Sequence, residues 1–376
     1  MKTIVFIIRD RCIGGFSSSL SSLYNSIKGE YKIKILQLSS MGTAAVSYND
    51  VVMKHWWLCD YYYNDYTLAK GMRKFMTGLI HALARVDKNL EKRIATHYNT
   101  IFADVDCVIA FGESLSSNFT QHIKCKKKIA WIHYDVTFYS KSVLHESLYR
   151  QFDKIVCVAD AIADGMRKMY PSLSSKICGI HNVFDKERIT LLANESIPET
   201  FHPNINIISL GRLATVKRFF LIPGIAKKLK NKGLSFKWWI LGPAIGHVES
   251  DKLLSEILLN DVADCVEWIG NRKNPYPYIY KSDILVSTSS TEACPMIFNE
   301  SRILDTLIVS ADFLTANEFI NDGVDGVVSS IENMADRIFE LSQNKKLCRK
   351  LKKNSILRGS GNEESLARFK KLIDEV

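Results

Sequence analysis

The chain of 376 residues lacks the features of several specialised protein classes. It has no apolar run near the roughly 20 residues that a membrane-spanning helix needs. Its first apolar segment, residues 4–8, is too short for the apolar region of a secretory signal peptide and predicts a buried strand instead. None of the nine cysteines stands in a C-x-x-C pair, which argues against a disulfide framework or a zinc ribbon. The reducing cytoplasm is therefore the favoured location.

Acidic residues are scarce in the first half of the chain, and this makes the charge uneven. Residues 1–190 contain 26 lysines and arginines against 17 acidic residues, whereas residues 191–376 contain 24 against 23. The first half would thus attract nucleic acid, a phospholipid surface or a phosphorylated substrate. Hydrophobic residues make up 47% and charged residues 24% of the chain, which are globular values and exclude a disordered or collagen-like protein.

The hydrophobic pattern predicts two domains, each with strands and helices in alternation. Short apolar runs that read as buried parallel strands are found at residues 4–8, 32–38, 105–111, 128–132, 154–158, 205–210, 237–241, 265–269, 284–287 and 308–311. Two prolines and mixed polar residues place a linker at 191–204. We expect a first domain at 1–190, a second at 205–358, and a helix at 359–376 that could pack back on the first domain. Two doubly wound sheets facing each other across a cleft would bind ligands at the carboxyl ends of their strands.

The chain also lacks the full G-x-G-x-x-G motif, which counts against a nicotinamide-dependent dehydrogenase. Its first strand-to-helix turn instead carries Gly14 and Gly15, followed by serines that can begin a helix. Two glycines let the backbone approach a ligand closely, and a helix N-terminus favours an anion. A tight turn without a ligand explains the same residues equally well.

In the second half, Gly211, Arg212 and Lys217 follow the strand at 205–210. The arginine offers a fork of donors and the lysine a point charge, which together suit a diphosphate. The alternative is that these are two solvated surface cations.

A second loop carries Glu292 and Glu300 on either side of Pro295, after the strand at 284–287. Proline suits the start of a helix, and Glu300 would lie about 7–8 Å further along its axis, at 1.5 Å per residue. That is roughly the separation of a nucleotide's phosphate from its ribose. Carboxylates accept hydrogen bonds from the vicinal hydroxyls of ribose and hexose.

Taken together and in order, these motifs resemble those of the retaining, nucleotide-sugar-dependent glycosyltransferases of family 4, which have two Rossmann-like domains. The resemblance runs over nearly the whole length and is carried by Gly14-Gly15, Lys128-Ile-Ala-Trp-Ile-His133-Tyr-Asp135, Asp153-Lys-Ile-Val-Cys-Val, Lys176-Ile-Cys-Gly-Ile-His-Asn182-Val-Phe-Asp185, Gly211-Arg212 to Lys217, Asn274-Pro-Tyr-Pro-Tyr, Glu292 to Glu300 and Asn321-Asp-Gly-Val-Asp-Gly326. The family usually has glycine and an aromatic residue where this chain has Ala293 and Cys294.

The resemblance implies a glycosyltransferase of the B-type fold that moves a sugar from a UDP- or GDP-linked donor to a hydroxyl of a glycan or lipid-linked glycan, without a metal or other cofactor. It implies that Arg212 and Lys217 hold the diphosphate, that Glu292 contacts the sugar, and that Glu300 contacts the ribose. His133 would line the reacting centre beside the acceptor. The remaining donor-binding residues implied by the resemblance are Gly14, Gly15, Gly211, Asn271, Arg272, Ala293, Cys294, Pro295, Met296 and Ile297.

Other functions stay open at this level. A non-catalytic scaffold or partner subunit of the same fold would not need the paired cations and acids. An epimerase acting on sugar nucleotides would share the fold. A nucleic-acid-binding protein is suggested only by charge, without a groove-reading motif. An apolar stripe at Met72, Phe75, Met76, Leu79, Ile80 and Leu83, among basic residues, predicts either an interfacial helix at the inner membrane face or a core-packed helix with a basic solvated side.

Overall fold

The computed structural model describes residues 1–10, 14–40, 47–53, 55–138 and 145–375. The chain divides into two compact units, of which the first comprises Met1–Val183 with Asn362–Val376 and the second comprises Phe184–Gly361. The boundary falls after Val183, so the residues just before the expected linker belong to the second unit.

The first unit is built on a parallel sheet of seven strands. The strands are β1 Thr3–Ile8, β2 Lys32–Gln37, β3 Val52–Met53, β4 Cys107–Phe111, β5 Lys128–Ile132, β6 Lys154–Cys157 and β7 Ile177–Gly179. Their order in the sheet is β3-β2-β1-β4-β5-β6-β7. The central strands are continuous apolar runs because helices cover both faces of a parallel sheet. The helices are α1 Gly15–Ile27, α2 Trp57–Tyr63, α3 Gly71–Val86, α4 Leu90–Thr96, α5 Asn99–Phe102, α6 Leu115–Gln121, α7 Glu146–Tyr149 and α8 Asp160–Met169.

The second unit repeats this design on a parallel sheet of six strands in the order β10-β9-β8-β11-β12-β13. The strands are β8 Ile205–Leu210, β9 Phe236–Leu241, β10 Val266–Gly270, β11 Ile284–Ser287, β12 Leu307–Ala311 and β13 Val327–Ser329. The helices are α9 Lys186–Ala193, α10 Ile222–Asn231, α11 His247–Leu259, α12 Tyr276–Tyr280, α13 Met296–Ile303, α14 Ala316–Phe319, α15 Met334–Gln343 and α16 Lys345–Arg358.

The last helix, α17 Asn362–Asp374, returns to the first unit. Lys127 Nζ donates to the carbonyl oxygen of Leu372 at 2.6 Å, and Lys2 Nζ donates to that of Ile373 at 3.0 Å. Arg368 binds the carboxylate of Asp160 at 3.0 Å. Lysines near the C-terminus of a helix satisfy its last carbonyl groups, so these contacts fix the end of α17 on the first sheet.

In each sheet the strand order reverses beside the first strand, between β1 and β4 in one unit and between β8 and β11 in the other. Ligands of doubly wound sheets bind at this reversal, outside the carboxyl ends of the strands. The predicted class of two Rossmann-like α/β domains is confirmed. Among the described residues, no helix combines the length and apolarity needed to cross a membrane.

Candidate functional site

In the second unit, the loops that follow β8 and β9 pack directly against each other. The amide of Gly211 donates to the carbonyl oxygen of Leu241 at 3.0 Å. Gly242 has a φ of +145°, and a Cβ there would lie 1.7 Å from the carbonyl oxygen of Gly211. Only glycine fits this close approach, which fixes the loop after β8 against the loop after β9.

Lys217 lies at the end of that loop and pairs with Glu292 from the loop after β11. The lysine stem runs over Gly211, where a Cβ would come within 3.0 Å of Lys217 Cε. Its Nζ contacts Glu292 Oε1, which also accepts from Ser289 Oγ at 2.8 Å. The hydroxyl of Thr315 donates to the carbonyl oxygen of Glu292 at 2.7 Å and holds its backbone. The structure thus brings together two of the four residues expected to meet the donor.

Arg218 is a residue that sequence reasoning missed, and it ties the same two loops together. It adopts a left-handed conformation, with φ of 51° and ψ of 35°. Its Nε donates to the carbonyl oxygen of Thr288 at 2.7 Å, and its Nη2 donates to that of Ser289 at 2.8 Å. Burial lowers the pKa of its guanidinium. Because both bonds go to backbone atoms, the role of Arg218 is to fix the loops, while its neighbour Lys217 keeps its ammonium beside Glu292.

Glu300 lies inside α13, one turn after Met296, and is buried. The hydroxyl of Tyr276 donates to its Oε1 at 3.3 Å. Burial raises the pKa of Glu300 to about 7, against a smaller lowering from the tyrosine bond. Burial also raises the pKa of Tyr276, and the Glu300 charge adds to that effect. A buried carboxyl with so few partners is costly to ionise, which marks it as a candidate functional group.

The start of α13 holds the remaining motif residues. Pro295 occupies the N-cap position in an extended conformation, and Met296 begins the helix. Ala293 is buried, whereas Cys294, Met296 and Ile297 are half-buried. The roles of these residues toward a sugar or phosphate stay predictions.

Three other predicted residues of the second unit lie in different surroundings. Arg212 is exposed, and its guanidinium has no hydrogen-bond or ion-pair partner among the residues described. Asn271 is exposed. Arg272 is engaged: its Nη2 pairs with Glu199 Oε1 at 2.5 Å, and its Nε donates to the hydroxyl of Tyr278 at 3.0 Å. The contact of Arg272 with a nucleobase stays a prediction.

In the first unit, the predicted residues lie at the carboxyl ends of β1 and β5. Gly14 caps α1 with a φ of +153°, which favours glycine, and Gly15 begins the helix. The ring of His133 packs against those of Phe16 and Phe111, with centroids 5.1 and 4.5 Å away. Its Nε2 is buried and has no partner within the described parts of the chain. Burial lowers the pKa of His133 to about 3, so the imidazole is neutral.

Glu113, just after β4, supports the turn that carries His133 and was also missed. Its Oε1 accepts from the backbone amide of His133 and, at 2.6 Å, from that of Tyr134. Burial raises the pKa of Glu113 to about 7, although these amides act in the opposite sense. The sequence signal was available, because Phe111-Gly112-Glu113 ends a strand next to the one that precedes His133.

The acidic pair Asp104 and Asp106 mimics a metal-binding D-x-D motif but lies just before β4. Asp106 accepts from the backbone amide of Thr3 at 2.8 Å and pairs with Lys126 at 2.7 Å. These contacts tie the start of β4 to the start of β1 and to the segment before β5. At the site in the second unit, the groups suited to a diphosphate are the cations Arg212 and Lys217.

The second unit matches a known protein family, and part of the chain matches a known relative. Residues 194–358, nearly all of the second unit, match the family model for glycosyl transferases, group 1. An uncharacterized glycosyltransferase of Methanocaldococcus jannaschii is 24% identical over 230 residues, or 59% of this chain. The matched region spans about half of that relative, 56% of its length.

Solved structures resemble the whole chain. TarM of S. aureus superimposes with a TM-score of 0.73 at 13% identity, covering 99% of both chains. A glycosyltransferase from Rickettsia africae gives 0.72 at 16% identity, covering 100% of this chain and 98% of the other. HepE of Anabaena, solved in complex with UDP, gives 0.69 at 12% identity over the full length of both. The chain therefore has the glycosyltransferase B-type fold, and its second unit carries the group 1 glycosyl transferase pattern.

Proposed function

We propose that this protein is a retaining glycosyltransferase that moves a sugar from a nucleotide diphosphate donor to a hydroxyl of a glycan or lipid-linked glycan. The proposal rests on the ion pair between Lys217 and Glu292, which lies where the strand order of the second sheet reverses. Arg212 lies on the same loop, exposed and without a partner among the residues that the structure describes. This is the position at which doubly wound sheets bind nucleotides.

In the proposed reaction, the bond between the sugar's anomeric carbon and the diphosphate oxygen breaks, and its electron pair leaves with the diphosphate. The acceptor hydroxyl attacks from the same face, and its proton passes to the departing diphosphate. Charge therefore grows on the diphosphate in the transition state. Cations beside the growing charge are the strongest catalytic element expected of such a site, so in this proposal Arg212 and Lys217 carry most of the effect without a metal.

In this proposal the two glutamates, Glu292 and Glu300, recognise hydroxyl groups of the donor. Glu292 is already ion-paired, so it suits accepting hydrogen bonds from sugar hydroxyls rather than attacking the anomeric carbon. Glu300 accepts from the ribose hydroxyls. Gly211, Ala293, Cys294, Pro295, Met296 and Ile297 surround the phosphate and sugar, and Asn271 with Arg272 would face the base. The proposed donor is UDP- or GDP-linked, and HepE, which has the same fold, was solved with UDP.

The first unit would hold the acceptor. Gly14 and Gly15 would let the chain approach the donor phosphate, and His133 would line the reacting centre. Because burial lowers the pKa of His133 to about 3, its imidazole would act as a neutral hydrogen-bonding group near neutral pH. We place the enzyme in the cytoplasm, acting on acceptors of cell-surface polysaccharide assembly.

A screen of UDP-, GDP- and ADP-sugars by thermal shift tests the donor. A ligand at 100 times its dissociation constant adds about 2.7 kcal/mol of stability. Arg212→Ala and Lys217→Ala should each abolish transfer, whereas Arg337→Ala, whose ion-pair partner Glu340 lies on the same helix α15, should not. Turnover at the wild-type level in Arg212→Ala would refute the mechanism. Absence of binding heat with any nucleotide would favour a non-catalytic scaffold instead.

A further inference from the structure

Helix α3 of the first unit turns an apolar face outward. Met72, Phe75, Leu79, Leu83 and Val86 recur at three- and four-residue intervals and are between 46% and 86% exposed. The spacing places all five on one stripe of the helix. A helix in a globular domain normally buries such a stripe, so its exposure requires an explanation.

A second face of α3 packs against the first unit and is anchored by polar contacts. Arg73 Nη2 binds Asp60 Oδ2 at 2.9 Å and Asn64 Oδ1 at 3.1 Å. The ring Nε2 of His81 contacts the carbonyl oxygen of Tyr62 at 3.1 Å. Thr77 and Ile80 are buried between these two contacts. The anchors fix the rotation of the helix, because turning the apolar stripe inward would break the ion pair with Asp60.

The exposed charged residues on the rest of α3 and at its ends are positive. The segment 66–86 contains no aspartate or glutamate. Lys70, Lys74, Arg85 and Lys88 are exposed along or just beyond the helix. The nearest following acid, Asp87, is paired with Arg93.

We propose that α3 docks on the surface of a bilayer that contains anionic phospholipid, lying in the interface with its apolar stripe among the acyl chains. An outward apolar stripe on a helix whose own charged residues are all basic is the pattern of interfacial helices. The 16 residues would extend about 24 Å at 1.5 Å per residue, which suits a helix lying flat. With the stripe buried, the long lysine and arginine side chains on the rest of the helix would reach the lipid phosphate groups. This surface is separate in sequence from the donor-binding residues, so docking does not depend on the proposed chemistry.

Vesicle co-sedimentation of the full-length protein tests the stripe. Wild type should bind vesicles of phosphatidylcholine and phosphatidylglycerol at 3:1, and should bind pure phosphatidylcholine at least tenfold less. Phe75→Ser with Leu79→Ser should lower the partition coefficient at least tenfold. The matched control is Val248→Ser with Leu258→Ser, because these α11 side chains are also exposed. Equal losses in both double variants, or no wild-type binding to anionic vesicles, would overturn the proposal.

The charges are tested separately. Lys70→Glu with Lys74→Glu should reduce binding to anionic vesicles at least tenfold at low salt, with a smaller effect at 0.5 M salt because screening shortens electrostatic reach. Lys345→Glu with Lys346→Glu makes the same charge change on α16 and should leave binding unchanged. Light scattering tests whether a second copy of the chain, and not a membrane, covers the stripe. If the wild type is a dimer that Phe75→Ser with Leu79→Ser converts to monomers, and the wild type does not bind vesicles, the stripe is a dimer contact. Calorimetry with nucleotides tests the donor site separately, so failure of membrane binding and failure of the proposed function can be distinguished.

Discussion

Glu300→Gln should stabilise the protein while damaging its proposed function. The Glu300 carboxyl is buried, with the Tyr276 hydroxyl at 3.3 Å. Burial raises its pKa from 4.5 to about 7. Glutamine has nearly the same size, stays neutral and offers the same carbonyl oxygen to Tyr276. The substitution therefore removes the ionisation of a buried group, and the pH dependence of its effect on stability reports the cost of that ionisation.

The sign and size of the effect follow from proton linkage. Between pH 4.5 and 7 the folded protein keeps a proton on Glu300 that the unfolded chain has released, so its stability falls as the pH rises through this window. Each pKa unit corresponds to about 1.4 kcal/mol. The resulting cost is about 1 kcal/mol at pH 5.5 and about 3 kcal/mol at pH 8.5, and Glu300→Gln recovers it.

Urea unfolding followed by circular dichroism at pH 5.5 and 8.5 measures this difference. Glu300→Gln should gain about 2 kcal/mol more at the higher pH. Glu187→Gln, at an exposed position on α9, is the matched control and should show no such pH dependence. If the gain in unfolding free energy is equal at both pH values, or absent at pH 8.5, Glu300 is not a buried carboxyl group whose ionisation destabilises the fold.

The same variant separates stability from binding. An ionised carboxylate is the stronger acceptor for ribose hydroxyls, so wild-type affinity for the donor nucleotide should rise from pH 6 to pH 8. Glu300→Gln should bind about 10- to 100-fold more weakly at pH 8, since a hydrogen bond to a charged group contributes about 1.5–3 kcal/mol. Calorimetry across this pH range should show a flat profile for the variant. A flat wild-type profile would mean that Glu300 does not meet the ribose.

Three further substitutions test the framework around the sites. Gly242→Ala should prevent stable folding of the second unit, because its Cβ would lie 1.7 Å from a carbonyl oxygen; soluble expression with a wild-type melting temperature would contradict this. Arg218→Met should lower the melting temperature by several degrees through loss of two charge-assisted bonds, whereas Arg337→Met should change it little. Glu113→Ala should reduce turnover at saturating donor and leave nucleotide affinity unchanged, because the turn that carries His133 loses its support. Glu113→Gln should restore part of the rate. A fall in nucleotide affinity would instead assign Glu113 to the donor site.

Much of the fold could be predicted from the sequence because parallel strands are buried on both faces and appear as apolar runs. The strands that escaped prediction were β3, β7 and β13, which have only two or three residues each. Such short segments carry no detectable period, and their pairing depends on the strand beside them. The return of α17 to the first unit rests on lysine contacts from residues far away in sequence.

The candidate site was predictable in location but not in its contacts. Glycines, cations and acids after β8 and β11 could be read directly, since carboxyl ends of adjacent parallel strands meet at one edge. The Lys217–Glu292 pair joins residues 75 positions apart and depends on how the two loops pack. Neither the left-handed backbone of Arg218 nor its two carbonyl partners has a sequence signature.

In the second unit, firmly held loops lie near a buried carboxyl group that is costly to ionise. This combination favours a ligand-binding role for these residues over a purely structural one. Arg218 and the Gly211–Gly242 approach fix the loops without using Lys217 or Arg212. A purely structural site has no reason to keep a carboxyl at Glu300, where glutamine would fit with less cost, or an exposed arginine at position 212. Proteins retain such costs where a ligand offsets them, and loops fixed in advance lose little entropy when the ligand binds. If a nucleotide diphosphate is that ligand, the stability gained by Glu300→Gln and the affinity it loses should appear together in one variant.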